Sequence, residues 1–213
     1  MSSLVYRSAV ASLLAQLLIG AVTSAGFFLP LPEDRSQEDL RIILALEVAS
    51  QAVELLWYAV VVCRRRRIST WTRYLDWFVS TPLMLVTTAM FFYYRASRPV
   101  LDVLQTADLW ASLGLNWLML GFGLALELGA LSTGVGVALG GAALVGSFTF
   151  LARLIVETDA LSAGLYAGIF VVWALYGVAA VWEDDTKNIG YNALDVVSKN
   201  CYGLFLFLYI VLS

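Results

Sequence analysis

The chain has 213 residues, 61% of them hydrophobic and only 14% charged, with a formal net charge of -3 and a mean hydropathy of +0.81. That balance excludes a soluble globular domain, which needs far more polar surface, and the acidic sign with no long basic patch argues against a nucleic-acid partner. The sequence has no histidine, which excludes His-based triads and His metal sites.

Seven apolar runs approach or exceed the roughly 20 residues that cross a bilayer: 4–28, 38–63, 71–94, 107–127, 132–152, 160–182 and 189–211. Short loops join them. The expected fold is an all-α membrane protein, a seven-transmembrane-helix bundle forming a single domain over residues 1–213. The first span carries Ser8 and has little positive flank and no small-residue cleavage pattern, so it reads as a retained helix rather than a signal peptide.

The second span, "LALEVASQAVELLWY", places Glu47, Gln51 and Glu54 at i, i+4 and i+7, a polar stripe two turns long on an apolar helix. Carboxylates do not face lipid, so the stripe faces protein or a watery path. Two readings stand: a hydrogen-bond network to Ser8 and to Asn192 or Asn200, or a route for ions or protons. The loop after it, "CRRRRIST", holds Arg64 to Arg67 and by the positive-inside rule marks a cytoplasmic loop.

The third span, "TRYLDWFVSTPLMLVTT", sets Arg73 and Asp76 three residues apart, with Ser80 one turn further on. Pro82 distorts the helix and frees a backbone carbonyl, which Ser or Thr side chains help satisfy. In the sixth span Trp173 and Tyr176 stand at i, i+3; with Trp77 they form either core packing or an aromatic sleeve for a flat conjugated ligand. The seventh span puts Asp195 and Lys199 at i, i+4 on one helix face. A buried ion pair accounts for them, and so does an amine desolvated to condense with an aldehyde. Cys63 and Cys201 sit in no metal or redox spacing and read as unpaired thiols.

Seven spans, "RYLDWFVSTPLML" in the third, "LNWLMLGFGL" in the fourth and "LDVVSK" in the seventh resemble a microbial (type 1) rhodopsin along essentially the whole chain. The resemblance implies all-trans-retinal held covalently on Lys199 as a protonated Schiff base, with Asp76 and Asp195 as counterions and Arg73 ordering the water cluster below them. It implies a retinal pocket of Trp77, Ser80, Pro82, Met119, Trp173 and Tyr176, with Thr81 and Asn116 bridging the third and fourth helices. Light is then expected to weaken the pairing with Asp76, which takes the proton. The implied partners are the lipid bilayer, retinal and transported cations or protons, with homo-oligomerisation open; the implied location is a plasma or host-cell membrane. An enzyme is not expected.

Outward proton pumps of that family carry a carboxylate three turns beyond the counterion, where this chain has Thr87. Reprotonation must therefore come from water or another acid. The second-helix stripe is similar to that of channel-type members, and the short chain and "SKN" context resemble the small rhodopsins of giant algal viruses. Three functions follow in order of preference: a light-gated cation channel conducting past Ser8, Glu47, Gln51, Glu54, Asn192 and Asn200; a light-driven outward proton pump with Asp76 as acceptor; and a sensory photoreceptor. The family orientation puts the N-terminus outside, and the Arg64 to Arg67 loop argues the reverse.

Overall fold

The computed structural model describes residues 2–28, 35–64, 69–156 and 159–212, and among these the chain is helix and connecting turn with no strand. Arg65 to Arg67, on which the orientation argument turned, lie outside the described residues. Helix α1 (Ser3–Ala25) starts on Ser2, whose side chain accepts from the Val5 N–H, and closes in a 3-10 turn at Gly26–Phe28. Helices α2 (Arg35–Arg64) and α3 (Arg73–Arg95) follow, the latter entered through a 3-10 turn at Thr70–Thr72. Then come α4 (Ala107–Glu127), α5 (Thr133–Ala152) and α6 (Ala160–Ala179).

The seventh rod is composite. It joins α7 (Asp184–Asp195), a π-helical turn (Val196–Cys201) and α8 (Tyr202–Leu212). Six helices are long and apolar enough to cross a membrane; the seventh rod is broken by the π turn and opens on polar residues. The chain is an integral, multi-pass membrane protein. Two boundaries differ from expectation: the sixth helix stops at Ala179, and the seventh begins at Asp184. Asp184 and Asp185 read as loop in the sequence. In the fold they occupy a first helical turn, where the exposed N–H groups favour negative charge.

Helix α3 is the axis of the bundle. In its apolar stretch 61% of residues are buried, against 17% in α6, so α3 touches neighbours on all sides while α6 turns one face to lipid. Pro82 lies inside α3 and cannot donate to the Phe78 carbonyl four residues back. The sequence pointed to Ser or Thr for that carbonyl, but the Trp117 indole N–H of α4 takes it at 3.3 Å. The hydroxyls of Ser80 and Thr81 instead bond the carbonyls of Asp76 and Trp77, at 3.1 and 2.8 Å.

At one end of the bundle Arg95 closes α3 onto α6 and α8, reaching Asp159 at 3.3 Å and the Tyr209 hydroxyl at 2.8 Å. Asp159 also caps α6, accepting from the N–H groups of Leu161 and Ser162. The Ser162 backbone N–H above all, with the Ser162 hydroxyl, the Leu161 N–H and Arg95, holds its carboxyl below the usual range. At the other end Lys187 of α7 pairs with Glu127 of α4 at 3.0 Å. Cys63 and Cys201 are both unpaired and exposed.

Candidate functional site

The chain has two lysines, Lys187 and Lys199, and their settings are opposite. Lys187 is anchored at the bundle end by Glu127. Lys199 sits on the π turn with 1% of its surface exposed. A π turn adds a residue to the helical repeat, rotates the side chains it contains and occurs often at functional positions. Here it points the Lys199 amine inward from α7–α8 toward α3 and α2. Its Nζ lies 2.6 Å from Asp76 Oδ2 and 3.5 Å from Glu54 Oε1.

Asp195, one turn before Lys199, pairs instead with Arg73 at 3.1 Å. It also accepts from the hydroxyls of Tyr58 (2.7 Å) and Tyr176 (2.8 Å) and from the Trp77 indole (3.3 Å). Four donors on one buried carboxylate fix its charge and its rotamer. Arg73 is held in turn: it donates to Asn192 Oδ1 and to Asn188 Oδ1, and the Trp57 ring lies 4.6 Å from its Cζ. The resemblance implied both acids on the lysine; the ion pairs seen divide them, Asp76 to Lys199 and Asp195 to Arg73. Tyr58, Asn188 and Trp57 had no signal in the sequence beyond their types.

Beside Lys199 opens an apolar cavity of about 530 Å³ whose wall includes Trp77, Thr81, Met119, Trp173 and Tyr176 and which ends on Ser198 and Lys199. Trp77 and Tyr176 meet edge to face at 5.3 Å, and Trp173 packs on Phe148 further along. Tyr74 also lines it, and Gly123 leaves room for that ring: a Cβ there would sit 2.6 Å from the Tyr74 hydroxyl. Asn116 bridges α4 to α3 as expected, donating to Thr81 at 2.9 Å. Two residues expected in the wall stand behind it: Ser80, whose backbone carbonyl accepts from Ser50 of α2 at 3.4 Å, and Pro82, buried within α3.

A second feature is a polar seam between α1, α2 and the seventh rod. Asn192 donates to Ser8 at 2.7 Å and its carbonyl accepts from Ser12 at 3.0 Å. Asn200 donates to Gln16 at 2.7 Å; Thr23 donates to Gln51 at 2.9 Å, and Gln51 to Glu47 at 3.3 Å. All six residues expected along an ion route therefore stand in or beside this seam, Glu54 facing Lys199 at its middle. Sequence reading missed its α1 wall: Ser12, Gln16 and Thr23 are buried, and Ser8, Ser12 and Gln16 at i, i+4 and i+8 were the available signal. Buried atoms with no hydrogen-bond partner cluster here too: Gln16 Nε2, Glu47 Oε2, both Glu54 oxygens, Asp76 Oδ1 and Asn200 Oδ1. At the Arg73 end the seam meets a polar vestibule of about 480 Å³ lined by Trp57, Ser69, Arg73, Asp184, Asn188 and Asn192.

Seven membrane rods enclose a buried lysine with an acid on its amine and an apolar, aromatic-walled cavity beside it. The chain belongs to the bacteriorhodopsin-like protein family, whose pattern matches residues 8–213; it is a microbial rhodopsin, and the family implies a retinal chromophore. Among solved structures it is similar to the viral rhodopsin OLPVRII, with 28% identity, 98% of each chain covered and a TM-score of 0.88. The same fold recurs in the blue light-absorbing proteorhodopsin from Med12 (19% identity, 97% of this chain and 96% of that one, TM-score 0.74). It recurs in the light-driven proton pump of Leptosphaeria maculans (14% identity, 100% and 98% covered, TM-score 0.74). No curated protein matches the chain in sequence.

The residues present fit retinal. The cavity lies within the ordinary range of ligand sites, about 300–1,000 Å³, its walls are aromatic and aliphatic, and an amine stands at its end with the unpartnered Asp76 Oδ1 beside it.

Proposed function

We propose that this microbial rhodopsin is a light-gated cation channel that carries all-trans-retinal covalently on Lys199. Retinal would be held between Trp77, Met119, Trp173 and Tyr176, where it supplies light absorption and an isomerisation that disturbs the Lys199 nitrogen. Asp76 Oδ2, 2.6 Å from that nitrogen, is placed to hold its charge and to accept its proton. Arg73 and the other three donors on Asp195 keep the vestibule end charged and ordered.

The observation that carries the channel reading is continuity. Polar groups run from the vestibule through Asn192, Ser8 and Ser12 to Gln16, Asn200 and Glu54, and on to Gln51, Glu47 and Thr23. Carboxyl, amide and hydroxyl oxygens suit a partly dehydrated monovalent cation, and the unpartnered ones can replace its water. In the dark Glu54 and Asn200 close the middle of the seam. Moving the charge on Lys199 removes the electrostatic reason for Glu54 to stay there, at 3.5 Å.

The test is photocurrent in voltage-clamped cells. A channel gives a current that reverses sign with membrane potential, and Glu54→Gln changes its size or selectivity. A reversing current untouched by Glu54→Gln removes the seam from the account. A current of one sign at all potentials supports the second reading, an outward proton pump, which the short Lys199–Asp76 pair favours.

A further inference from the structure

The turn that carries Lys199 is tied down beyond the lysine as well as at Asp76. A π turn admits an extra residue and departs from the regular hydrogen-bond ladder, so its orientation depends on what its flanks are fixed to. Tyr202 is the first residue of α8, directly after that turn. Its backbone N–H donates to the Lys199 carbonyl, and its side chain, 5% exposed, crosses to α3. There the hydroxyl lies 2.8 Å from Thr88 Oγ1 and 3.2 Å from Thr87 Oγ1. One residue thus joins the backbone of the lysine to the axial helix.

The bond to α3 has two forms. Each hydroxyl carries one hydrogen. Thr87 and Thr88 both donate theirs to the Met84 carbonyl, at 3.0 and 2.7 Å, which leaves each threonine oxygen only as an acceptor. Tyr202 is therefore the donor, and with one hydrogen it serves one threonine at a time. The shorter distance gives it to Thr88, with Thr87 a second acceptor within reach. Both threonines are buried, so the protein rather than bulk water supplies the alternatives. Two discrete arrangements separated by a sub-ångström displacement turn a small local shift into a change of state.

We propose that Tyr202 is the positioning residue of the Lys199 turn, and that its hydroxyl passes from Thr88 to Thr87 when light displaces the Lys199 nitrogen. The inference rests on retinal being carried by Lys199 and holds whether the protein conducts or pumps. A pull on the lysine reaches Tyr202 through the Lys199 carbonyl. The seventh rod shifts against α3, the hydroxyl changes acceptor, and the new bond holds the shifted rod until the chromophore returns. No covalent bond changes, and the Tyr202 O–H keeps its proton throughout. The two acceptors act in opposition, Thr88 stabilising the dark arrangement and Thr87 the illuminated one.

The experiment uses the full chain loaded with retinal and follows recovery of the dark colour after a flash. Valine keeps the branched shape of threonine but cannot accept, and each single substitution leaves Tyr202 the other threonine, so no buried donor is stranded. Thr87→Val is expected to speed recovery and Thr88→Val to slow it, each by about two- to tenfold, the worth of one hydrogen bond. Thr88→Ser, which keeps an acceptor, should recover at the wild-type rate. In a Tyr202→Phe background neither valine substitution should matter. Light-minus-dark infrared spectra should contain a tyrosine C–O band pair that ring-labelled tyrosine shifts and Tyr202→Phe removes. Valine effects of the same sign, effects that survive in Tyr202→Phe, or spectra without that band pair each overturn the proposal. A wild-type preparation that never colours speaks instead against retinal on Lys199, so the two failures are distinct.

Discussion

The two sides of Lys199 are built on different rules. Toward Arg73 the charged groups are densely bonded, Asp76 Oδ1 excepted: Asp195 has four donors, Arg73 is bonded to Asn188 and Asn192 and lies by the Trp57 ring, and Tyr58 joins acid and amide. Away from Arg73 the groups are as deeply buried but half-satisfied, with Glu47, Gln16 and Asn200 each leaving an atom without a partner. A saturated network is rigid and holds a fixed charge. A half-satisfied one exchanges partners at low cost and admits water, protons or a cation. On the proposed function, the first side anchors charge electrostatically and the second is the transport side.

Substitutions that break this contrast should rank accordingly. Arg73→Gln strands the buried Asp195 charge and is expected to destabilise by about 3–5 kcal/mol, read as faster thermal bleaching of the retinal-loaded protein in detergent. Gly203→Ala overpacks the transport side against Gln51 and Glu47, expected at about 1–3 kcal/mol, together with a changed photocurrent. Gln51→Leu removes two modest hydrogen bonds, each worth about 0.5–1.5 kcal/mol; it should leave thermal bleaching within a few degrees of wild type while reducing conductance. If Gln51→Leu destabilises as much as Arg73→Gln, the two sides are not different in kind.

The smallest effect is expected outside the core. Asp159 caps α6 with its carboxyl held below the usual range by the Ser162 backbone N–H first. Its contribution is therefore present above the ordinary carboxylate value of about 3.9 and is lost as pH falls through the depressed one. Asp159→Ala should melt slightly earlier than wild type at neutral pH, and the gap should close in acid.

Much of this was legible in the sequence, for reasons of cost. Apolar runs of bilayer length fix the rods, and mid-span ionisable residues such as Lys199, Asp76 and Glu54 stand out because lipid forbids them. What the sequence hid depends on helix phase and on partners distant in the chain. The π turn at Val196–Cys201 has no local signature, yet with it come Lys199 paired to Asp76 and Glu54, and Asp195 paired to Arg73. Tyr58 looked like one more aromatic residue; only its contact with Asp195, 137 positions away, makes it part of the site. Trp117 was likewise unreadable as the partner of the Phe78 carbonyl, because that bond exists only once α3 and α4 pack.

The central claim is the attachment point, and mass mapping tests it directly. Retinal-loaded protein is reduced with borohydride, which turns an imine into a stable amine, then digested and analysed. The account predicts retinyl mass on the peptide containing Lys199 and none on the one containing Lys187. Label on Lys187, or a coloured protein with no covalent adduct, would contradict it.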